Sequence, residues 1–148
     1  MSRPASVPYA TTLLVRDGCL CLHVQRAARA LARRFDAALQ PFGLTNGQFS
    51  LMMSLNRPQP AGMADVATLL AMDRTTLTAA LKLLERRGLV KVTPDPADRR
   101  SRLLTLTPKG KGLLARAVPV WESTHKKIEA ALPSGTAASL RTDLRALS

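Results

Sequence analysis

Aromatic residues are scarce in this chain of 148 residues, which has one Trp, one Tyr and three Phe. Proteins that bind single-stranded nucleic acid stack bases on aromatic side chains, so the composition disfavours this mode of binding. No apolar run is long enough to span a bilayer, and the N-terminus lacks the basic and apolar regions of a secretory signal. We therefore expect a cytoplasmic protein without a membrane partner.

Cysteine and histidine are also rare, with two of each. Both cysteines lie in Cys19-Leu20-Cys21, which is not the framework of a disulfide-rich secreted protein. The histidines, His23 and His125, have no sequence context that marks a nucleophile, a metal cluster or a phosphate-binding glycine loop. We therefore predict that the protein is not an enzyme and uses no metal or other cofactor.

Acidic residues are few as well, and the net charge is +12. The positive charge is concentrated, because residues 73–112 carry ten Lys or Arg against four acids, whereas residues 41–72 carry one of each. A localised basic excess is typical of nucleic-acid binding. A membrane surface would also attract it, but no helix pairs a basic face with one rich in Trp and Phe. The charge pattern therefore indicates a nucleic acid as the partner.

The basic segment has the element order of a winged helix-turn-helix. Asp73 is a good N-cap, and the helix that it begins is predicted to stop at Gly88. Two strand-like segments, 89–93 and 102–107, flank a basic loop, and Pro108 suits the start of another helix. In such a fold the helix reads a major groove and the loop reaches the neighbouring minor groove.

The helix and the loop supply the predicted DNA contacts. With Leu77, Leu81 and Leu84 facing inward, hydroxyl and basic side chains remain on the outer face, where they can reach phosphates and base edges. A narrow minor groove favours an inserted guanidinium, which the carboxylate of Asp98 could hold extended. Taken singly, the helix and the loop would also suit a solvated surface with weak ion pairs. The predicted contact residues are Arg74, Thr75, Thr76, Thr78, Lys82, Arg86, Asp98, Arg99 and Arg100.

Several motifs occur together in the chain. They are Leu84-Glu85-Arg86-Arg87-Gly88-Leu89-Val90, Asp98-Arg99-Arg100, Leu106-Thr107-Pro108-Lys109-Gly110, and Gly43-Leu44-Thr45 with Gln48-Phe49. With them, residues 18–148 resemble the MarR family of bacterial transcriptional regulators. The resemblance implies a dimeric winged-helix protein on a near-palindromic operator, usually a repressor relieved by a small molecule or an oxidant. It also implies that Asp98 and Arg100 are the signature pair of the wing, with Arg100 the first choice for the minor groove and Arg99 the second.

The rest of the chain is expected to be helical, which gives a mainly α fold with a small β-wing. We predict an irregular arm over residues 1–15 and a long helix over 17–40 that ends before Pro41. Residues 45–48 form a capping box for the next helix. A last helix is predicted over residues 134–147.

We expect one MarR-like domain over residues 1–148. Residues 42–107 would form the winged-helix DNA-binding lobe, and residues 1–41 and 108–148 the dimerisation helices. The apolar stripes of the first and last helices exceed what a small lobe can cover, so they would be buried against a second copy of the chain. The predicted assembly is therefore a homodimer.

Two features compete as the site that senses a signal. Helix N-termini favour a thiolate, so Cys19 or Cys21 could be reactive at the start of the predicted long helix. The organic-hydroperoxide branch of the MarR family is similar in the position of its sensing cysteine, but its tyrosine hydroxyls are missing here. On a regular helix the two thiols would diverge by roughly 200°, too far for an internal disulfide. Alternatively, both cysteines are small packing residues.

The second feature is a cleft for a small aromatic or anionic effector. An arginine and a histidine beside apolar and Met side chains would suit an anionic aromatic ligand. The candidate lining residues are His23, Arg26, Phe49, Met52, Met53 and Trp121. Each of them, taken singly, is also explained as a core residue.

The sequence leaves one alternative function, a winged-helix module that binds another protein or RNA. Steep salt dependence of binding would fit either nucleic acid, whereas preference for a two-fold duplex over random duplex fits only the DNA regulator.

Overall fold

Seven helices and one small sheet make up the described chain. The computed structural model describes residues 6–133 and 135–148. The helices are α1 (Tyr9–Gly18), α2 (Leu20–Leu39), α3 (Asn46–Ser54), α4 (Met63–Leu70), α5 (Arg74–Arg86), α6 (Pro108–Ala130) and α7 (Thr136–Ala146), with a 3-10 turn at Gln40–Phe42. The strands are β1 (Ala61–Gly62), β2 (Val90–Pro94) and β3 (Arg102–Leu106), antiparallel in the order β1-β3-β2. The predicted class, mainly α with a small β-wing, is confirmed. Within the described residues no helix has the length and apolar character to cross a membrane.

The chain divides into two units, Met1–Arg34 and Phe35–Ser148. In the first unit α1 buries no side chain, and Leu20 of α2 is 70% exposed. The irregular arm expected over residues 1–15 is wrong for residues 9–15, because the chain is helical from Tyr9. Residues 6–8 are non-helical, and residues 1–5 lie outside the described residues. The single helix expected over 17–40 is wrong as well, because it is interrupted at Cys19, whose backbone is extended with ψ 110°.

The second unit contains the apolar core. In α5 the buried side chains Leu77, Leu81 and Leu84 recur at helical spacing, as the sequence predicts. In β3 Leu104 and Leu106 are buried and their neighbours are half-buried, which is the alternation of a strand with one inner face. Both sets of leucines belong to one apolar core, and α5 packs against β2, so the core fixes the hairpin of β2 and β3 against α5.

Two helices, α3 and α6, are capped where the sequence predicts that they start. The Thr45 hydroxyl accepts a hydrogen bond from the Gln48 N–H (3.2 Å), and the Gln48 side chain accepts one from the Thr45 N–H (3.1 Å), which completes the capping box. The Thr107 hydroxyl accepts one from the Gly110 N–H (3.0 Å) at the start of α6. The last helix begins at Thr136 rather than at 134, and residue 134 lies outside the described residues.

Candidate functional site

Asp73 fixes the N-terminus of α5. Its carboxylate accepts hydrogen bonds from the Thr76 hydroxyl (2.6 Å) and the Thr76 backbone N–H (2.8 Å). These bonds hold the pKa of Asp73 below its ordinary value. The Thr78 hydroxyl donates to the Arg74 carbonyl (2.8 Å), whereas the hydroxyl of Thr75 has no such partner in the described chain. Among the predicted threonines, Thr75 is therefore the freest to donate a hydrogen bond outside the chain.

A basic groove lies between α5 and the hairpin of β2 and β3. Its volume is about 300 Å³. The cations that line it are Arg74 and Lys82 of α5 and Arg100 and Arg102 of the hairpin. Thr78 also lines the groove, so four of the predicted residues come together there. Arg86, Asp98 and Arg99 are exposed outside the groove lining.

Two hydrogen bonds tie α5 to the hairpin across this groove. Nη2 of Arg74 donates to the Arg100 carbonyl at 3.4 Å. The backbone N–H of Val92 donates to the Glu85 carboxylate at 3.3 Å. Helix α5 and the hairpin are thus connected by side chains as well as by the core.

The loop between β2 and β3 is closed by its own polar groups. The Asp95 N–H donates to the Ser101 carbonyl (3.2 Å), and the Ser101 N–H donates to the Asp98 carbonyl (2.9 Å). We expected the Asp98 carboxylate to hold a guanidinium, and this is wrong: it accepts the Arg100 backbone N–H (3.0 Å), and no ion pair of the described residues includes it. Asp98 therefore shapes the turn and leaves the side chains of Arg99 and Arg100 exposed.

The start of α6 is joined closely to the segment that follows α5. The Thr107 hydroxyl donates to the Gly88 carbonyl at 2.6 Å, and the Thr107 N–H donates to the Leu89 carbonyl at 3.1 Å. A Cβ on Gly110 would lie 2.2 Å from the same Leu89 oxygen. Only glycine permits this approach, so the Thr-Pro-Lys-Gly motif serves to position α5 and the wing.

Cys19 and Cys21 are free thiols beside the break between α1 and α2. Cys19 is half-buried, and its carbonyl accepts the His23 N–H (3.1 Å). Cys21 is exposed, and its Sγ accepts a hydrogen bond from Nε2 of Gln25 (3.2 Å). The expectation that both thiols project from one regular helix is wrong, because Cys19 lies outside α2. The two thiols therefore do not have the divergence of a regular helix that would exclude an internal disulfide.

Three of the six residues predicted for an effector cleft line one pocket of about 500 Å³ among α3, α4 and α6, namely Phe49, Met53 and Trp121. The rings of Trp121 and Phe49 are stacked with centroids 5.9 Å apart. Placing Met52 in the cleft was wrong, because its side chain is fully buried in the core. His23 and Arg26 are exposed on α2 and belong to the unit Met1–Arg34.

Several known proteins are similar to this chain in both sequence and fold. The family model described as "MarR family" matches residues 44–101. The crystal structure of the M. tuberculosis transcriptional regulator MosR in complex with DNA is 36% identical, with a TM-score of 0.80, and the match covers 87% of this chain and 92% of MosR. The chain belongs to the MarR family.

Two further relatives of this MarR-family chain are informative. The transcriptional activatory protein BadR of Rhodopseudomonas palustris is 38% identical over 95 residues, which are 62% of this chain and 54% of BadR. Bordetella bronchiseptica BpsR, whose DNA binding is regulated by 6-hydroxynicotinic acid, is 28% identical with a TM-score of 0.78, and the match covers 88% of this chain and 93% of BpsR. The chain spans about half the length of the curated relatives that it matches first. These relatives are named as transcriptional regulators, not as enzymes.

Two charged residues that line the groove of this MarR-family protein, Glu85 and Arg102, were not predicted from the sequence. A signal for Arg102 was present, because it has the same strand parity as Leu104 and Leu106, which are buried. Glu85 lies three residues after Lys82, a spacing that places both on one side of a helix. Both signals become informative only once the hairpin is known to pack against α5.

Proposed function

We propose that the protein is a dimeric regulator of transcription that binds a two-fold double-stranded DNA operator. The observation that carries the proposal is the meeting of four cations in the groove between α5 and the hairpin. With α5 in the major groove, Thr75 and Lys82 would contact phosphates and base edges. The exposed guanidinium of Arg100 would enter the adjacent minor groove, where the potential is most negative.

The exposed apolar side chains of α2 and α7 support the dimer. Leu20 is 70% exposed in α2, and Leu147, which follows α7, is 63% exposed. A second copy of the chain would remove such surfaces from water. We therefore assign residues 1–41 and 108–148 to dimerisation and residues 42–107 to DNA binding. The two recognition helices would then meet half-sites about 10 base pairs apart.

We propose that the protein represses transcription in the cytoplasm and that a small ligand or thiol oxidation relieves the repression. The regulation of BpsR by 6-hydroxynicotinic acid supports a ligand. The exposed Cys21 supports an oxidant, because an accessible thiol can be oxidised to a sulfenic acid or a mixed disulfide. Either signal would act by changing how the two DNA-binding lobes are held.

The test begins with selection of a binding site from random duplexes, followed by anisotropy titrations at fixed salt. Arg100→Ala is expected to weaken binding to the selected site by roughly 1–3 kcal/mol. Lys91→Ala is the charge-matched control: it lies in the same hairpin, but on the opposite face of β2 from Val92, which lines the groove. Its effect should stay within about 0.5 kcal/mol.

Unchanged affinity in Arg100→Ala would refute the assignment of the wing. Binding of a structured RNA or of random duplex as tightly as the selected site would instead favour the alternative module inferred from the sequence.

A further inference from the structure

The pocket beside Trp121 has the size and lining of a small-molecule site. It is an open pocket lined by α3, the C-terminal end of α4 and α6, all in the unit Phe35–Ser148. Its volume of about 500 Å³ lies within the usual range for ligand pockets. Met53 and Leu69 of its lining are 39% and 64% exposed. A ligand with an apolar ring would therefore cover apolar surface that now faces water.

The charge of the pocket is opposite to that of the protein. Glu122 is the charged residue of the lining, which contains no Lys or Arg although the chain has a net charge of +12. Within the part of the chain that the structure describes, Glu122 makes no ion pair. A positively charged group placed beside Glu122 would be attracted, whereas a carboxylate would be repelled with no cation in the lining to compensate.

The remaining polar groups of the pocket favour a ligand that donates hydrogen bonds. Ser50 and Ser54 supply hydroxyls. The Ser54 hydroxyl already donates to the Leu51 carbonyl at 2.6 Å, so its oxygen is left as an acceptor. Trp121 adds an aromatic surface, and an ammonium group close to an indole ring gains further electrostatic attraction.

We propose that this pocket is the effector site and that it takes a small aromatic compound bearing a protonated amine. The ring would lie against Trp121 and Met53, and the amine would lie at Glu122. The role as effector rests on the proposed function, whereas the binding itself does not. The proposal narrows the aromatic or anionic effectors expected from the sequence to aromatic amines. Because α4 lines the pocket and also packs against α5, occupancy would reach the recognition helix through α4.

The binding test uses the fluorescence of Trp121, the one tryptophan of the chain. Three probes of nearly equal shape are titrated at low salt: phenethylamine, 2-phenylethanol and phenylacetate. The amine is expected to bind most tightly and phenylacetate most weakly. Glu122→Gln should weaken phenethylamine about three- to tenfold and leave 2-phenylethanol unchanged. Asp65→Asn, which removes a carboxylate of α4 outside the pocket lining, is the matched control and should leave all three unchanged.

Binding of phenylacetate as tightly as phenethylamine would overturn the proposal, and so would an unchanged amine affinity in Glu122→Gln or the absence of a fluorescence change with every probe.

The second arm measures affinity for the selected duplex with and without saturating phenethylamine. A weaker duplex affinity in its presence is expected, and an unchanged one would overturn the effector role. Failure of the protein to bind duplex without any probe would instead count against the proposed function, while the fluorescence titration would still decide on the pocket.

Discussion

Gly110→Ala is expected to destabilise the fold by about 2–4 kcal/mol. A Cβ on Gly110 would lie 2.2 Å from the Leu89 carbonyl oxygen, and real Cβ atoms are essentially never closer than 3.0 Å to such an atom. The start of α6 and the Leu89 carbonyl must therefore part by roughly 0.8 Å. This movement stretches the hydrogen bond from the Thr107 N–H to the same oxygen, now 3.1 Å. Loss of that bond contributes about 1 kcal/mol and the overpacking about 1–3 kcal/mol.

Gly112 provides the matched control, because a Cβ there would meet no atom within 4 Å. Gly112→Ala is expected to stabilise the protein by about 0.5–1 kcal/mol, since alanine favours a helix over glycine. Urea unfolding, followed by the fluorescence of Trp121 at one fixed protomer concentration, measures both changes. If the urea midpoint of Gly110→Ala equals that of the wild type, or shifts upward as in Gly112→Ala, the argument from close contact is refuted.

Other changes test separate features. The Asn46 backbone and side-chain N–H groups donate to the Asp36 carboxylate at 2.7 and 2.8 Å, and these bonds lower the pKa of Asp36. The ionised carboxylate therefore stabilises the fold above the unfolded pKa of about 3.9, and this stabilisation is lost as the pH falls through the lower folded pKa. The difference in unfolding free energy between wild type and Asp36→Ala should therefore shrink as the pH falls below about 3.9, and a difference that does not change with pH would contradict this. Peroxide should weaken duplex binding by the wild type and leave the affinity of Cys21→Ser unchanged. Equal responses of the two proteins would indicate that the cysteines are packing residues. Removal of residues 134–148 should give monomers or aggregates that bind duplex poorly, and a stable truncated dimer in sedimentation would argue against the assigned interface.

The helices with strong local signals could be predicted from the sequence. The Asp73 cap and the inward face of Leu77, Leu81 and Leu84 depend on residues three or four positions apart, and the structure confirms them. The same holds for the capping box at Thr45. Such features are readable because the atoms that stabilise them are close in sequence.

Other features could not be predicted because they depend on competition or on distant contacts. The sequence offers the Asp98 carboxylate two kinds of donor, a guanidinium and a backbone N–H. It accepts the backbone N–H of Arg100, because a two-residue turn costs little side-chain entropy. The two-residue strand β1 is too short to show a pattern, and it pairs with β3 from more than forty positions away. The groove residue Arg102 acquires its neighbours only when the hairpin packs on α5.

The central claim is that two copies of the chain place two helices α5 on one side of a two-fold duplex. The most direct test measures the affinity and stoichiometry of the wild type on the selected site and on the same site with about five base pairs, half a helical turn, inserted between the half-sites. We expect two protomers per duplex on the original site and a loss of specific binding after the insertion, because the second half-site then faces away. A complex of one protomer per duplex, or an affinity that the insertion leaves unchanged, would contradict it.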